Sequence, residues 1–154
     1  MNYGPLPLHR NLNVVHDPAS TRLCLHLLSP SPPTDITKLS ELFPAASFDV
    51  VIDKCTIDAL TVDPGDKWDP NPETRSAVTA VVNGVAHLLK PHGVFVSITF
   101  EQKQFRRPLL EAPRALDVRL HKFVELGFKE CYVFHLTHPA ASGSAGATAA
   151  PAVV

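Results

Sequence analysis

The stretch "FDVVIDKCTIDAL", Phe48 to Leu60, decides how this chain folds. Its first half, with Phe48, Val50, Val51 and Ile52, is rich in β-branched and aromatic side chains and does not alternate cleanly with polar ones. That is the pattern of a strand buried on both faces of a helix-covered parallel sheet. The run then stops in Asp53, Lys54, Cys55, Thr56 and Asp58. Charged residues just past such a strand fall at the carboxyl edge of the sheet, where open α/β folds place their ligand crevice. The segment reads as a strand running into the edge of a site.

Working outward, "TVDPGDKWDPNPETR" is a turn-rich loop that delivers the chain to a strong helix signal. Asn71 suits the N-cap, Pro72 the first helical position and Glu73 the positive end of the dipole. Val78, Val81, Val82, Val85, Leu88 and Leu89 recur at the spacing of one buried helical face, and Gly84 weakens the helix by about 1 kcal/mol against alanine. The helix is expected to stop near Lys90, with Pro91-His92-Gly93 as a tight turn of type I, before a second buried strand, Gly93 to Phe100. Strand, helix and strand in that order form a parallel crossover unit. Farther on, strands near Asp117 to Val124 and Glu130 to Thr137, with Gly127 between them, read as an antiparallel hairpin.

Upstream the signals weaken. "NLNVV" suggests a short strand and "STRLCLHLL" one or two helical turns, after which "SPSPP" stops any helix. "DITKLSELFPAAS" reads as a connection. The organisation expected is therefore a Pro-rich segment over 1–34, an α/β domain over 35–138 and a small-residue, disordered tail over 139–154.

Composition narrows the classes. The chain has 154 residues, 45% hydrophobic and 19% charged, with a formal net charge of -1. That size suits one domain, and that charge gives no electrostatic reason to expect nucleic acid or an anionic membrane as partner. No window reaches the roughly 18 apolar residues of a membrane helix, and the start has no signal-peptide pattern, so a cytoplasmic protein is expected. Cys24, Cys55 and Cys131 are odd in number and widely spaced, which fits a reducing compartment better than a disulfide framework. The eight histidines show no metal-ligand spacing, so no metal is expected.

The motifs together resemble class I S-adenosylmethionine-dependent methyltransferases, in the eukaryotic branch of the elongation factor 1-alpha lysine methyltransferases and the methyltransferase-like proteins. Asp53, Lys54, Thr56, Asp58 and Ala59 match that branch's Asp-Lys-Gly-Thr-x-Asp-Ala, and Leu89, Lys90, Pro91, Gly93, Ser97 and Thr99 its Leu-Lys-Pro-Gly-Gly turn and following strand. The match runs from about Asp35 to Thr137 and corresponds to the second half of the family fold. It implies a partial Rossmann-like sheet with a C-terminal antiparallel hairpin, S-adenosylmethionine as cofactor and a protein substrate presenting lysine.

Residue by residue, the resemblance puts Asp35 and Ile36 beside the adenine ring, and Asp53 and Lys54 at the opening between cofactor and substrate. Thr56, Asp58 and Trp68 fall on the substrate side. Each has a structural alternative: Asp35 as a cap, Asp53 and Lys54 as an exposed pair, Thr56 and Asp58 as caps of the next helical turn, Trp68 as a loop anchor. Cys55 stands where the family has glycine, which strains the backbone if that position needs a positive φ.

The first half of the family pattern is where this sequence departs. No Gly-x-Gly precedes Asp35, and Gly4 is the only glycine there. Close approach of backbone to a ligand at a strand-to-helix turn favours glycine, so the cofactor site looks incomplete. Asp17 in "NVVHDPAS" is a candidate for the acid that holds the ribose. Two functions stay open: a methyltransferase of protein-lysine type, or a non-catalytic binding module or truncated product derived from one. Without first strands, the strand Phe48 to Ile52 is expected to expose an unpaired edge.

Overall fold

The computed structural model describes residues 13–16, 22–26, 35–126 and 129–140. Six strands form one mixed sheet in the order β1-β2-β3-β4-β6-β5. They are β1 (Asn13–His16), β2 (Arg22–His26), β3 (Phe48–Lys54), β4 (Leu89–Thr99), β5 (Asp117–Leu126) and β6 (Lys129–Thr137). β2, β3 and β4 run parallel, whereas β1 pairs with β2, and β6 with β4 and β5, antiparallel. This is the α/β sheet with a terminal hairpin that the sequence implies.

Helix α3 (Pro72–Leu88) carries the crossover from β3 to β4. The Asn71 side chain accepts from the amide of Thr74 at 2.8 Å, and Pro72 takes the first helical position, as the local sequence dictates. Val78, Val81, Val82, Val85 and Leu88 are fully buried against Val51 and Phe95 of the sheet. Gly84 lies on the same helix, where an added Cβ would stand 3.0 Å from the Cβ of Leu39. The helix gives up propensity there so that the short helix α1 (Leu39–Leu42) can approach.

Several upstream and connecting segments differ from expectation. "RLCLH" is strand β2 rather than helical turns, and it pairs in parallel with Arg22 opposite Val50 and Leu25 opposite Asp53. β3 therefore has partners on both sides and no unpaired edge. "DITKLSEL" is a 3-10 turn (Ile36–Lys38) followed by α1, not a plain connection. α3 stops at Leu88 and passes straight into β4, so Lys90-Pro91-His92-Gly93 is not a tight turn. Instead Leu89 pairs with Phe48 and Val94 with Val50, leaving residues 90–93 as an excursion opposite Asp49 alone. Lys90 donates to Asp49 at 2.8 Å across it, and Gly93 sits where a Cβ would meet the carbonyl oxygen of Phe48 at 3.0 Å.

A fourth helix, α4 (Lys103–Glu111), had no sequence signal because Pro108 lies inside it and Gln102 caps it without a side-chain bond. It closes the core beside β5 through Leu109 and Leu110. The region 141–154 and Asp17 lie outside the described residues.

Candidate functional site

The carboxyl edge of β3 is built around Asp53. Its carboxylate is 1% exposed, accepts from the amides of Thr56 at 2.8 Å and Ile57 at 3.4 Å through Oδ1, and from the hydroxyl of Ser97 at 2.9 Å through Oδ2. Asp53 thus caps the short helix α2 (Thr56–Leu60) and ties it to β4. Burial outweighs these donors and pushes its pKa up to about 6. Lys54, next in the chain, points to solvent, so the two are not the exposed ion pair that adjacency suggests.

Cys55 adopts φ 59, the left-handed region, at the junction of strand and helix. The positive φ that the glycine of the related motif would take without cost is required here. Burial, then the nearby Asp58 and Asp53 charges, push the Cys55 thiol up to about 11, so it is no ready nucleophile.

Asp58 forms a second tie between α2 and the region after β4. It accepts from the hydroxyl of Thr99 at 2.5 Å, the amide of Phe100 at 3.0 Å and Nη2 of Arg106 at 2.8 Å. Arg106 is fully buried, and its Nη2 also donates to the hydroxyl of Thr61 at 3.0 Å. Its Nε and Nη1 are buried without a partner among the described residues, beside a void of about 10 Å³ bordered by Thr61, Lys67, Glu101 and Phe105. That is room for one water. With both oxygens engaged, Asp58 holds structure rather than offering a free base.

Above this floor lies an open groove bordered by Asp58, Val62, Lys67, Phe100 and Glu101. Lys67 bridges Glu101 at 3.0 Å. Trp68 is 75% exposed and stacks edge-on against Phe105 at 4.8 Å, so it is an anchor that still presents most of its ring to solvent.

The structure gathers Asp53, Lys54, Thr56 and Asp58 at one sheet edge, with Trp68 next in the chain to the groove residue Lys67. It does not free the acids to hold a cofactor. Asp35 is spent capping the 3-10 turn, accepting from the amide of Thr37 at 3.0 Å and its hydroxyl at 2.6 Å. Ile36 is 1% exposed in the core and has no face for a ring to stack on. Asp53 is enclosed. Asp35, Ile36, Asp53 and Lys54 are absent from the linings of four clefts among the described residues. The sequence reading missed Arg106 and Thr61; the one available signal was an arginine in an otherwise apolar register, Arg106 before Leu109 and Leu110.

Known proteins place these elements in context. The chain is 42% identical over 64 residues to EEF1A lysine methyltransferase 4 of Bos taurus and 41% identical over 64 residues to that of Mus musculus. Each alignment takes in 42% of this chain and 25% of the relative, so the chain spans about a quarter of the length of the curated relatives it matches. An arsenic(III) S-adenosylmethionine methyltransferase of Chlamydomonas reinhardtii superposes with a TM-score of 0.43 at 13% identity, over 73% of this chain and 46% of that one. No family model matches. The resemblance to the elongation factor 1-alpha lysine methyltransferases is thus upheld by curated relatives over those 64 residues. No helix among the described residues is long and apolar enough to cross a membrane.

Proposed function

We propose that this chain is a methyltransferase-like protein of the protein-lysine type, of which the described residues form the substrate-side half. The observation that carries this reading is the 42% identity to a lysine methyltransferase, together with the pair of clasps Asp53–Ser97 and Asp58–Thr99. Those clasps join the two motifs of the resemblance, Asp-Lys-x-Thr-x-Asp and the strand after Lys-Pro-x-Gly, into one edge. In such enzymes the cofactor supplies a sulfonium methyl group to a lysine nitrogen. What this chain's own residues supply is an open groove in which Asp58 is paired with Arg106 and Glu101 with Lys67, so that a lysine-bearing segment held there would take the place of Lys67 on Glu101. A cytoplasmic location belongs to the same proposal, since Cys55 and Cys131 are free thiols.

A specific observation favours a second reading, a non-catalytic binding module. No glycine occurs between Gly4 and Gly65, and the acids that the resemblance assigns to the cofactor are enclosed or spent on caps. Titration calorimetry of the full chain with S-adenosylhomocysteine separates the two. The enzyme reading requires micromolar binding, with residues 1–34 completing the pocket. Absence of binding by a chain that still unfolds cooperatively overturns it and leaves the binding module.

A further inference from the structure

Lys67 lies in the turn that the bridge between Gly65 and Pro70 closes, and its ammonium meets two kinds of partner. It donates to both oxygens of Glu101, at 3.2 and 3.0 Å, and stands over the ring of Phe105, 5.5 Å from the centroid. A carboxylate that takes two donors and an aromatic face within about 6 Å together replace much of what an ammonium group loses on leaving water.

The two halves of this contact are not equally fixed. The Glu101 side chain is 19% exposed, its Oε1 also accepts from the amide of Gln102 at 3.0 Å, and its own amide donates to the hydroxyl of Thr99 at 3.0 Å. Thr99 is held in turn by Asp58, so the carboxylate stands on the clasp described above. The Lys67 side chain is 52% exposed and reaches Glu101 from 34 residues away on a long, rotatable stem. An ion pair this open to water is weak. Beneath it, the void that Lys67, Glu101 and Phe105 border is also bordered by Arg106, whose buried Nε and Nη1 lack a partner among the described residues. Lifting Lys67 away admits water to that space, which offsets part of the cost of breaking the pair.

We infer that Glu101 and Phe105 form a seat for a lysine ammonium of a partner protein, that Lys67 fills it as an internal competitor until such a lysine displaces it, and that the seat discriminates between methylation states. The last point follows from counting donors. An unmodified ammonium has three N–H groups and a monomethylated one two, enough for both oxygens of Glu101, whereas a dimethylated one has a single N–H and a trimethylated one has none. The ring of Phe105 attracts all four, since each keeps its charge. An unmodified lysine is thus held and a fully methylated one released. The inference rests on the reading of this groove as the seat of a lysine-bearing segment, and it applies whether or not the chain itself transfers the methyl groups.

The test uses the full chain and fluorescent peptides of one sequence, with a single lysine among neutral residues that is unmodified, mono-, di- or trimethylated, or replaced by glutamine. Fluorescence anisotropy is expected to show the unmodified and monomethylated peptides binding within about twofold of each other, the trimethylated one at least about tenfold more weakly, and the glutamine one not at all. Lys67→Ala, a change at an exposed loop position, removes the competitor and should tighten the unmodified peptide about fivefold. Glu101→Gln, which keeps an acceptor for the Gln102 amide, should erase the ranking by methylation state. The inference is overturned by a parent and a Lys67→Ala chain that both fail to bind, by weaker or unchanged binding in Lys67→Ala, by a trimethylated peptide that binds as tightly as the unmodified one, or by a glutamine peptide that binds equally well. Should Glu101→Gln no longer unfold cooperatively, Lys67→Ala decides alone. Titration with S-adenosylhomocysteine is read separately: cofactor binding without the ranking refutes the inference and leaves the enzyme reading, whereas the ranking without cofactor binding refutes the enzyme reading and leaves the inference.

Discussion

The two faces of the sheet are made from nearly the same residue types and live in different surroundings. Phe95, Phe134 and Leu136 on the helical side are fully buried, while Val94, Val96 and Ile98, one step along the same strands, are half-open. The polar groups differ as well. The helical side encloses Asp53, Ser97, Thr99 and Arg106, each with partners, whereas the other side keeps Lys54, Arg119 and Lys122 in solvent. A β-branched composition therefore shows that a strand fits a pleated, apolar setting, but not that both of its faces are sealed.

Deleting a side chain from each face measures the difference most directly. Phe134→Ala should cost about 3–5 kcal/mol in denaturant unfolding, and Val96→Ala under about 1.5 kcal/mol. Equal costs would break the comparison by showing that the second face is as well packed as the first. Asp58→Ala leaves the Arg106 guanidinium buried without its counter-charge and should cost about 3 kcal/mol or more. Adding Arg106→Met to it should restore most of that loss, because methionine fills the volume without two orphaned donors.

Asp53 sharpens the contrast through pH. Its folded pKa of about 6 lies above the unfolded 3.8, so the folded state keeps the proton longer. The stability this contributes is fully present below about pH 4 and is lost as pH rises through about 6, an order of about 3 kcal/mol from this group. Asp53→Asn, which keeps an acceptor for the Thr56 amide, should flatten the denaturation midpoint between pH 4 and 6. Smallest of all, Cys55→Gly relieves a left-handed residue and should raise stability by about 1 kcal/mol, read as a higher thermal midpoint. A lower midpoint would mean that the Cys55 side chain contributes more by packing than its backbone loses.

The legible parts of the fold were those with local grammar. Asn71-Pro72-Glu73 and the valines of α3 announce their helix in any context, and the alternation of Tyr132, Phe134 and Leu136 announces β6. β2 was illegible because "RLCLHLL" offers leucines at both two- and four-residue spacing, and its parallel partner Val50–Asp53 lies far along the chain. α4 was hidden by Pro108. In the site, Asp53 and Asp58 were named but their states were not: which acid is enclosed depends on Ser97, Thr99 and Arg106, contacts 41 to 48 residues away in sequence. Asp35 and Ile36 were assigned through resemblance, and what the structure adds is a capping bond from Asp35 to Thr37 and a core position for Ile36.

The clasp at Asp58 also has a bearing on time. Its bonds to Thr99, Phe100 and Arg106 close loops of 41, 42 and 48 residues, among the costlier closures that the chain makes. The clasp spans as much chain as the pairing of β3 with β4, 41 residues from Phe48 to Leu89, so it is expected to form with or after that pairing. Weakening it is expected to leave the refolding rate nearly unchanged and to hasten unfolding, so that the groove opens before the core gives way.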